Sequence, residues 1–190
     1  MKKLTSLLLT AMMLVLLASG CGSSGAPADG GPQSTPQDKD SVTIGISVSL
    51  DSLEPMSAYS REEQYVIYNV FDTLIEFYDG KYQPRLAESF EMSDDMKEFT
   101  FKLRQDVTFH NGEAFTAEDV AYTVSRFPEG AVTKTLFEPF DPDHTEIIDD
   151  YHIVIAFKSP FAPAMNFLTN GRASIVPSGY LAEHGETSLD

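Results

Sequence analysis

The feature that most limits this fold is a break in composition near residue 41. Before it, Lys2 and Lys3 lead into an apolar run from Leu7 to Leu17, interrupted by the polar Thr10. Ala18-Ser19-Gly20 follow, then Cys21, the only cysteine in the chain. A positive start, a short apolar run and small residues form the pattern of an export signal. The run is too short for a stable membrane span. From Gly22 to Asp40 the sequence is dominated by Gly, Ser, Pro, Ala, Gln and Asp. Such a tract cannot offset its ordering entropy and is expected to act as a flexible tether. The folding problem therefore begins at Val42.

From there the pattern is regular. Val42, Ile44, Ile46, Val48 and Leu50 alternate with small or polar residues, which predicts a half-buried strand. Ser60 and Glu63 have the spacing of a capping box. Ile67, Val70, Phe71, Leu74 and Tyr78 then continue one helical face as far as Asp79-Gly80. Phe99, Phe101 and Leu103 predict a second strand, and Val107 to Phe109 a short one before the Asn111-Gly112 turn. Thr116 to Asp119 opens a helix whose buried stripe is Ala117, Val120, Ala121 and Val124. Tyr151, Ile153, Ile155 and Phe157 predict another strand, and Ala164 to Leu168 a short helix. Helices and strands are mixed and short strand-to-strand turns dominate the middle. The fold class is a mixed α/β chain containing an α+β lobe.

Charge and chemistry narrow the function. Thirteen basic against 29 acidic residues give a net charge of −16, and no basic stripe is visible. Nucleic acid is a poor partner for such a surface. A lone cysteine excludes an intramolecular disulfide and a cysteine-built metal site. Asp141, Asp143, His144 and Glu146 could ligate a metal, but Asp-Pro-Asp-His is also turn chemistry, and the turn is the preferred reading. His110 falls in a turn, and His152 alternates with apolar residues and is expected to face solvent. There is no G-x-S-x-G, no HExxH and no second cysteine. A non-enzymatic protein with no cofactor and no metal is expected.

Two resemblances add to this reading. The small residues before Cys21 resemble a lipobox, the bacterial lipoprotein signal, with Ala18 where Leu is commoner. That implies acylation of Cys21 and a lipid-anchored protein outside the cytoplasmic membrane. The second rests on the run from Pro84 to Phe127. Its Leu86-Ala87-Glu88-Ser89-Phe90, Phe101-Lys102-Leu103-Arg104, Phe109-His110-Asn111-Gly112 and Thr116-Ala117-Glu118-Asp119-Val120 stand in order. They resemble the extracytoplasmic solute-binding proteins of family 5, the peptide- and nickel-type receptors of ABC importers. Leu53-Glu54-Pro55 stands where those proteins usually read Leu-Asp-Pro.

The resemblance implies a periplasmic-binding-protein-like fold of three lobes, with solute held between domains I and III. It maps 1–20 to the signal, 21–41 to the tether, and 42–70 to the first piece of domain I. Residues 71–177 map to domain II and 178–190 to the start of the return to domain I, so the chain is expected to be an N-terminal fragment. The implied function is capture of a small solute, most readily a di- or oligopeptide, for an ABC permease and its ATPase. A non-transport surface lipoprotein or sensor on the same fold is the alternative. Relatives that bind peptides place ligand against two stretches, here Tyr59, Ser60 and Arg61, and Asn170 to Arg172. Arg61 and Arg172 are the basic residues in them, suited to an anionic ligand group.

Overall fold

The computed structural model describes residues 42–47, 52–58, 60–185 and 189. The chain divides into one unit ending at Ile44 and another from Gly45 to Asp190. Of the first, 42–44 are described; Val42 and Ile44 are exposed and in no strand. The second unit opens with 45–47, also outside any strand, with Ile46 exposed. The strand expected from Val42 is therefore not formed over 42–47. Alternation makes a strand only where ladder partners exist, and no described strand pairs with this stretch. The expected signal, tether and Cys21 lie outside the described residues, as do 48–50.

Arg61–Val70 forms helix α1, closed at its start by the expected capping box. It stops at Val70 and does not run to Tyr78, because Phe71 is already extended (φ −121°, ψ 153°). Ile75–Tyr78 (β1) instead pairs antiparallel with Lys81–Pro84 (β2). Asp79-Gly80, expected to stop the helix, is the hairpin turn. Both residues have positive φ, 50° and 75°, the twist that a two-residue hairpin needs. The apolar spacing fitted a helix equally well, and the Asp-Gly pair was the deciding signal.

The main sheet is four-stranded and antiparallel, in the order β3 (Ala87–Met92), β4 (Glu98–Leu103), β6 (His152–Phe157), β5 (Phe140–Asp149). Phe99 pairs with Ile155 and Phe101 with Ile153, so the alternating residues of the central strands meet on one face. All four are fully buried, each worth about 1.5–3 kcal/mol of transfer free energy. Ala117–Ser125 (α2) packs on β5 and β6 through Ala117, Val120 and Val124. Phe127, Phe137 and Phe140 extend that core; the first two stack with centroids 4.1 Å apart. Three short helices complete the fold: Thr133–Leu136 (α3), Ala164–Leu168 (α4) and Ser178–His184 (α5).

Two further expectations are corrected. Val107 to Phe109 forms no strand; a single bridge joins Thr108 to Ala114. Asp141 to Glu146 is no turn and lies within β5, where an irregular register between Asp141 and Glu146 absorbs Pro142. Proline is tolerated there because β5 is the edge of the sheet. Among the described residues, no helix is long and apolar enough to cross a membrane.

Candidate functional site

Of the residues singled out from the sequence, Ser60, Arg61, Asn170 and Arg172 lie on two short segments that the fold brings together. The first is the start of α1. Ser60 Oγ accepts from the Glu63 N–H at 3.1 Å, and Glu63 Oε2 accepts from the Ser60 N–H at 2.7 Å. This reciprocal pair commits the Ser60 hydroxyl to capping and leaves Arg61 exposed at the first helical position. Tyr59 lies outside the described residues.

The second segment is the 3-10 turn Gly171–Ala173. Asn170 Oδ1 accepts from the Arg172 N–H at 3.0 Å, so the asparagine side chain shapes its own turn. Gly171 N–H donates to Tyr68 Oη at 2.9 Å, and Tyr68 Oη donates to the Thr169 carbonyl at 3.3 Å. A Cβ at Gly171 would lie 3.2 Å from the Tyr68 ring, so glycine permits the close approach. Arg172 reaches α1 as well. In the amide orientation that satisfies both groups, Gln64 accepts from Arg172 Nη1 and Nη2 at 2.6 and 3.0 Å. Arg172 is thus turned onto the helix that carries Arg61.

Behind these segments, α2 is the support. Asp119 Oδ1 accepts from both the N–H and the hydroxyl of Ser178 at 2.8 Å. Thr123 Oγ1 accepts from the Val176 N–H at 3.2 Å. At its end, Arg126 Nη2 donates to Glu54 Oε2 at 3.0 Å. None of Thr123, Arg126 and Ser178 was singled out in the sequence. Each bonds a residue more than fifty positions away, a relation that local pattern does not encode.

The ionisable groups with shifted pKa values sit elsewhere, on the exposed surface. Hydrogen bonding from the Arg104 guanidinium holds the Asp106 carboxyl below the usual range. Asp141 beside His144 raises the imidazole above its ordinary value. His152 is half-buried, not fully solvated, and is bonded to Asp149 at 2.8 Å. The hydrogen-bonded histidines among the described residues use carboxylate or carbonyl acceptors, and none is paired with a hydroxyl. Among the described residues, no group of three or more His, Cys, Asp or Glu could hold a metal. An apolar cavity of about 420 Å³ is lined by Leu53, by Val70 and Phe71 at the end of α1, by Val107 and Phe115, and by Tyr180 of α5. Neither arginine lines it.

Residues 81–188 match the bacterial extracellular solute-binding proteins, family 5 Middle. The glutathione-binding protein GsiB of Pectobacterium atrosepticum is 32% identical over 152 residues, covering 78% of this chain and 29% of that protein. The probable D,D-dipeptide-binding periplasmic protein DdpA of Escherichia coli K12 is 29% identical over 153 residues, covering 77% and 29%. The structure of the binding protein AgaA of A. tumefaciens R10 in complex with agropinic acid superposes with a TM-score of 0.66 at 27% identity, covering 73% of this chain and 28% of that one. The chain spans about 29% of the length of these curated relatives. The signature run between Pro84 and Phe127 lies within that match, and the chain belongs to the bacterial extracellular solute-binding proteins of family 5.

Proposed function

We propose that this chain forms one wall of a receptor that captures a small solute outside the cytoplasmic membrane and passes it to an ABC permease. The observation that carries the reading is the convergence of α1 with the Asn170–Arg172 turn, through Gln64 in its first half and Tyr68 in its second. Two sequence-distant segments held side by side make a fixed edge against which a ligand can be enclosed. Binding and lobe closure then suffice, with no covalent step. ATP is hydrolysed by the permease's partner. A di- or oligopeptide is the preferred solute. Matched relatives named for glutathione and D,D-dipeptide binding support that class. Arg61, exposed at the helix start, meets an anionic group of the ligand. Tyr59 and Ser60 flank it, and Asn170 and Arg172 shape the opposite side. Acylated Cys21 anchors the receptor through the 22–40 tether.

The test is uptake of radiolabelled di- and tripeptides by cells with and without the gene. Deletion should abolish the saturable component, and the wild-type gene should restore it. Complementation with Arg61→Ala should raise the half-saturating concentration by roughly 10- to 100-fold, as for loss of a charge-assisted hydrogen bond. Undiminished uptake after deletion would refute peptide capture. An unaltered half-saturation in Arg61→Ala would remove Arg61 from the site.

A further inference from the structure

The motif Leu53-Glu54-Pro55 has a role that solute contact does not explain. Glu54 is buried, with 7% of its side chain exposed, and its partner Arg126 is buried with 9% exposed. The two are 72 positions apart, and Arg126 Nη2 meets Glu54 Oε2 at 3.0 Å. The other carboxylate oxygen, Oε1, accepts from the Met56 N–H at 3.2 Å and so caps the 3-10 turn Pro55–Ser57. One carboxylate therefore shapes the turn and ties it to the end of α2.

That turn leads directly to the candidate site. Pro55, Met56 and Ala58 are buried, and Ser60 caps α1 two residues beyond Ala58. On its other side the turn packs against Gly171–Ala173. It is gripped between the Arg126 guanidinium and the segment that carries Arg172. A buried ion pair is a weak source of net stability, because desolvation of both charges offsets their attraction. Arg126 illustrates that cost. Its Nε and Nη1 are buried without hydrogen-bond partners, and only the Tyr122 ring, 5.6 Å from the guanidinium carbon, adds a cation–π contact. An apolar pair of similar volume would serve stability as well. What such a pair cannot supply is direction: a carboxylate with one oxygen on a turn amide and the other on a guanidinium admits few placements of the chain.

We propose that Arg126 is a positioning residue, which acts through Glu54 to fix the Pro55–Ser57 turn and so the N-terminus of α1. Its relevance to solute capture rests on the reading of that N-terminus as solute-facing. The positioning itself does not.

The experiment is amide hydrogen exchange by NMR on the 190-residue chain, with four variants: Glu54→Gln, Arg126→Met, the double variant, and Glu54→Asp. The reporters are the Glu63 and Gln64 amides, bonded to Ser60 Oγ and to the Ser60 carbonyl. The references are Phe101 and Ile155 in the centre of the sheet. Each single loss should speed exchange at Glu63 and Gln64 by about tenfold or more beyond the acceleration that the unpaired buried charge causes at the references, as expected for local opening added to a global loss. Glu54→Asp, which keeps the charge, should remain protected. The double variant decides between direction and neutralisation. It carries no lone buried charge and keeps its fold, so its α1 start should still exchange fast. Unchanged exchange at Glu63 and Gln64, equal acceleration at the references, or recovered protection in the double variant overturns the proposal. Peptide uptake by cells carrying Arg126→Met separates the two readings. If α1 loosens while uptake is unaltered, positioning stands and the solute-facing reading falls.

Discussion

Asp119→Ala should be among the most damaging single changes to a polar residue, judged over the described residues. Asp119 is 5% exposed and serves four donors with its two oxygens. Oδ2 accepts from the Thr116 N–H at 2.9 Å and the Thr116 hydroxyl at 3.3 Å. Oδ1 accepts from the Ser178 N–H and hydroxyl, both at 2.8 Å. Alanine removes the reciprocal cap of α2, worth about 1 kcal/mol. It also leaves the Ser178 amide facing a methyl group, where a lost hydrogen bond to a charged partner costs about 1.5–3 kcal/mol. Hydroxyls can turn to water, so the whole effect should be about 2.5–4 kcal/mol, a large part of the ~5–15 kcal/mol that holds a domain folded. Urea unfolding followed by far-UV circular dichroism reads this directly. With a slope of about 1–3 kcal/mol/M, the midpoint should fall by roughly 1–4 M at constant slope. Asp119→Asn should lose about half as much, since its amide nitrogen faces one of the two donor sets. The Ser178→Ala partner should show coupling of at least ~0.5 kcal/mol in a double-mutant cycle. A loss below ~1 kcal/mol for Asp119→Ala would refute the reasoning, because it would mean that the four donors find other acceptors.

Three further outcomes are expected. Gly80→Ala should lower stability by about 1 kcal/mol in thermal unfolding, purely through its φ of 75°, since a Cβ there would touch nothing within 4 Å. In an NMR titration, His144 should show a midpoint above the ordinary ~6.5 that falls back in Asp141→Asn. Because the folded-state value is raised, the small stabilisation from this exposed pair is present below the unfolded value and is lost as pH rises through the folded one. Cys21→Ser should shift the protein from membranes to the soluble fraction, since each buried acyl CH₂ contributes about 0.8 kcal/mol to anchoring. Equal partitioning would remove the anchor.

How much of this was legible in the sequence depended on the range of the signal. β4, β6 and α2 were read from alternation and from Thr116–Asp119, because burial on one face leaves a local trace. The Ser60–Glu63 capping box was legible for the same reason, with both partners lying within one turn. The β1–β2 hairpin was missed because Val70, Phe71, Leu74 and Tyr78 have a spacing that suits a helix, while the contrary evidence was confined to Asp79-Gly80. The 42–47 stretch was overread, since its alternation says nothing about whether a neighbouring strand exists. Pro142 suggested a turn where the edge position of β5 tolerates it. At the candidate site, Arg61 and Arg172 were named through family resemblance. That Gln64 takes up the Arg172 guanidinium was not legible, because their meeting depends on how Gly171 seats against Tyr68.

The polar contacts along α2 explain why a short helix matters more to this site than the larger sheet. The sheet supplies most of the apolar mass, and Met56, Ala173 and Ile175 join its core, but the polar bonds that fix residues 54–58 and 170–178 come largely from elsewhere. Those segments are fixed by three side chains of α2 and its C-terminal cap. Asp119 holds Ser178, Thr123 holds Val176, and Arg126 holds Glu54. Spaced four and three residues apart, these positions share one face of the helix. All three are buried, so each bond is specified by the cost of leaving it unmade. The apolar stripe of Ala117, Val120 and Val124 seats α2 in the core, and the polar stripe aligns the two segments that bear Arg61 and Arg172. A substitution in the apolar stripe should therefore destabilise the whole unit. One in the polar stripe should also alter where Arg61 and Arg172 stand relative to each other, the property on which a solute-gripping edge depends.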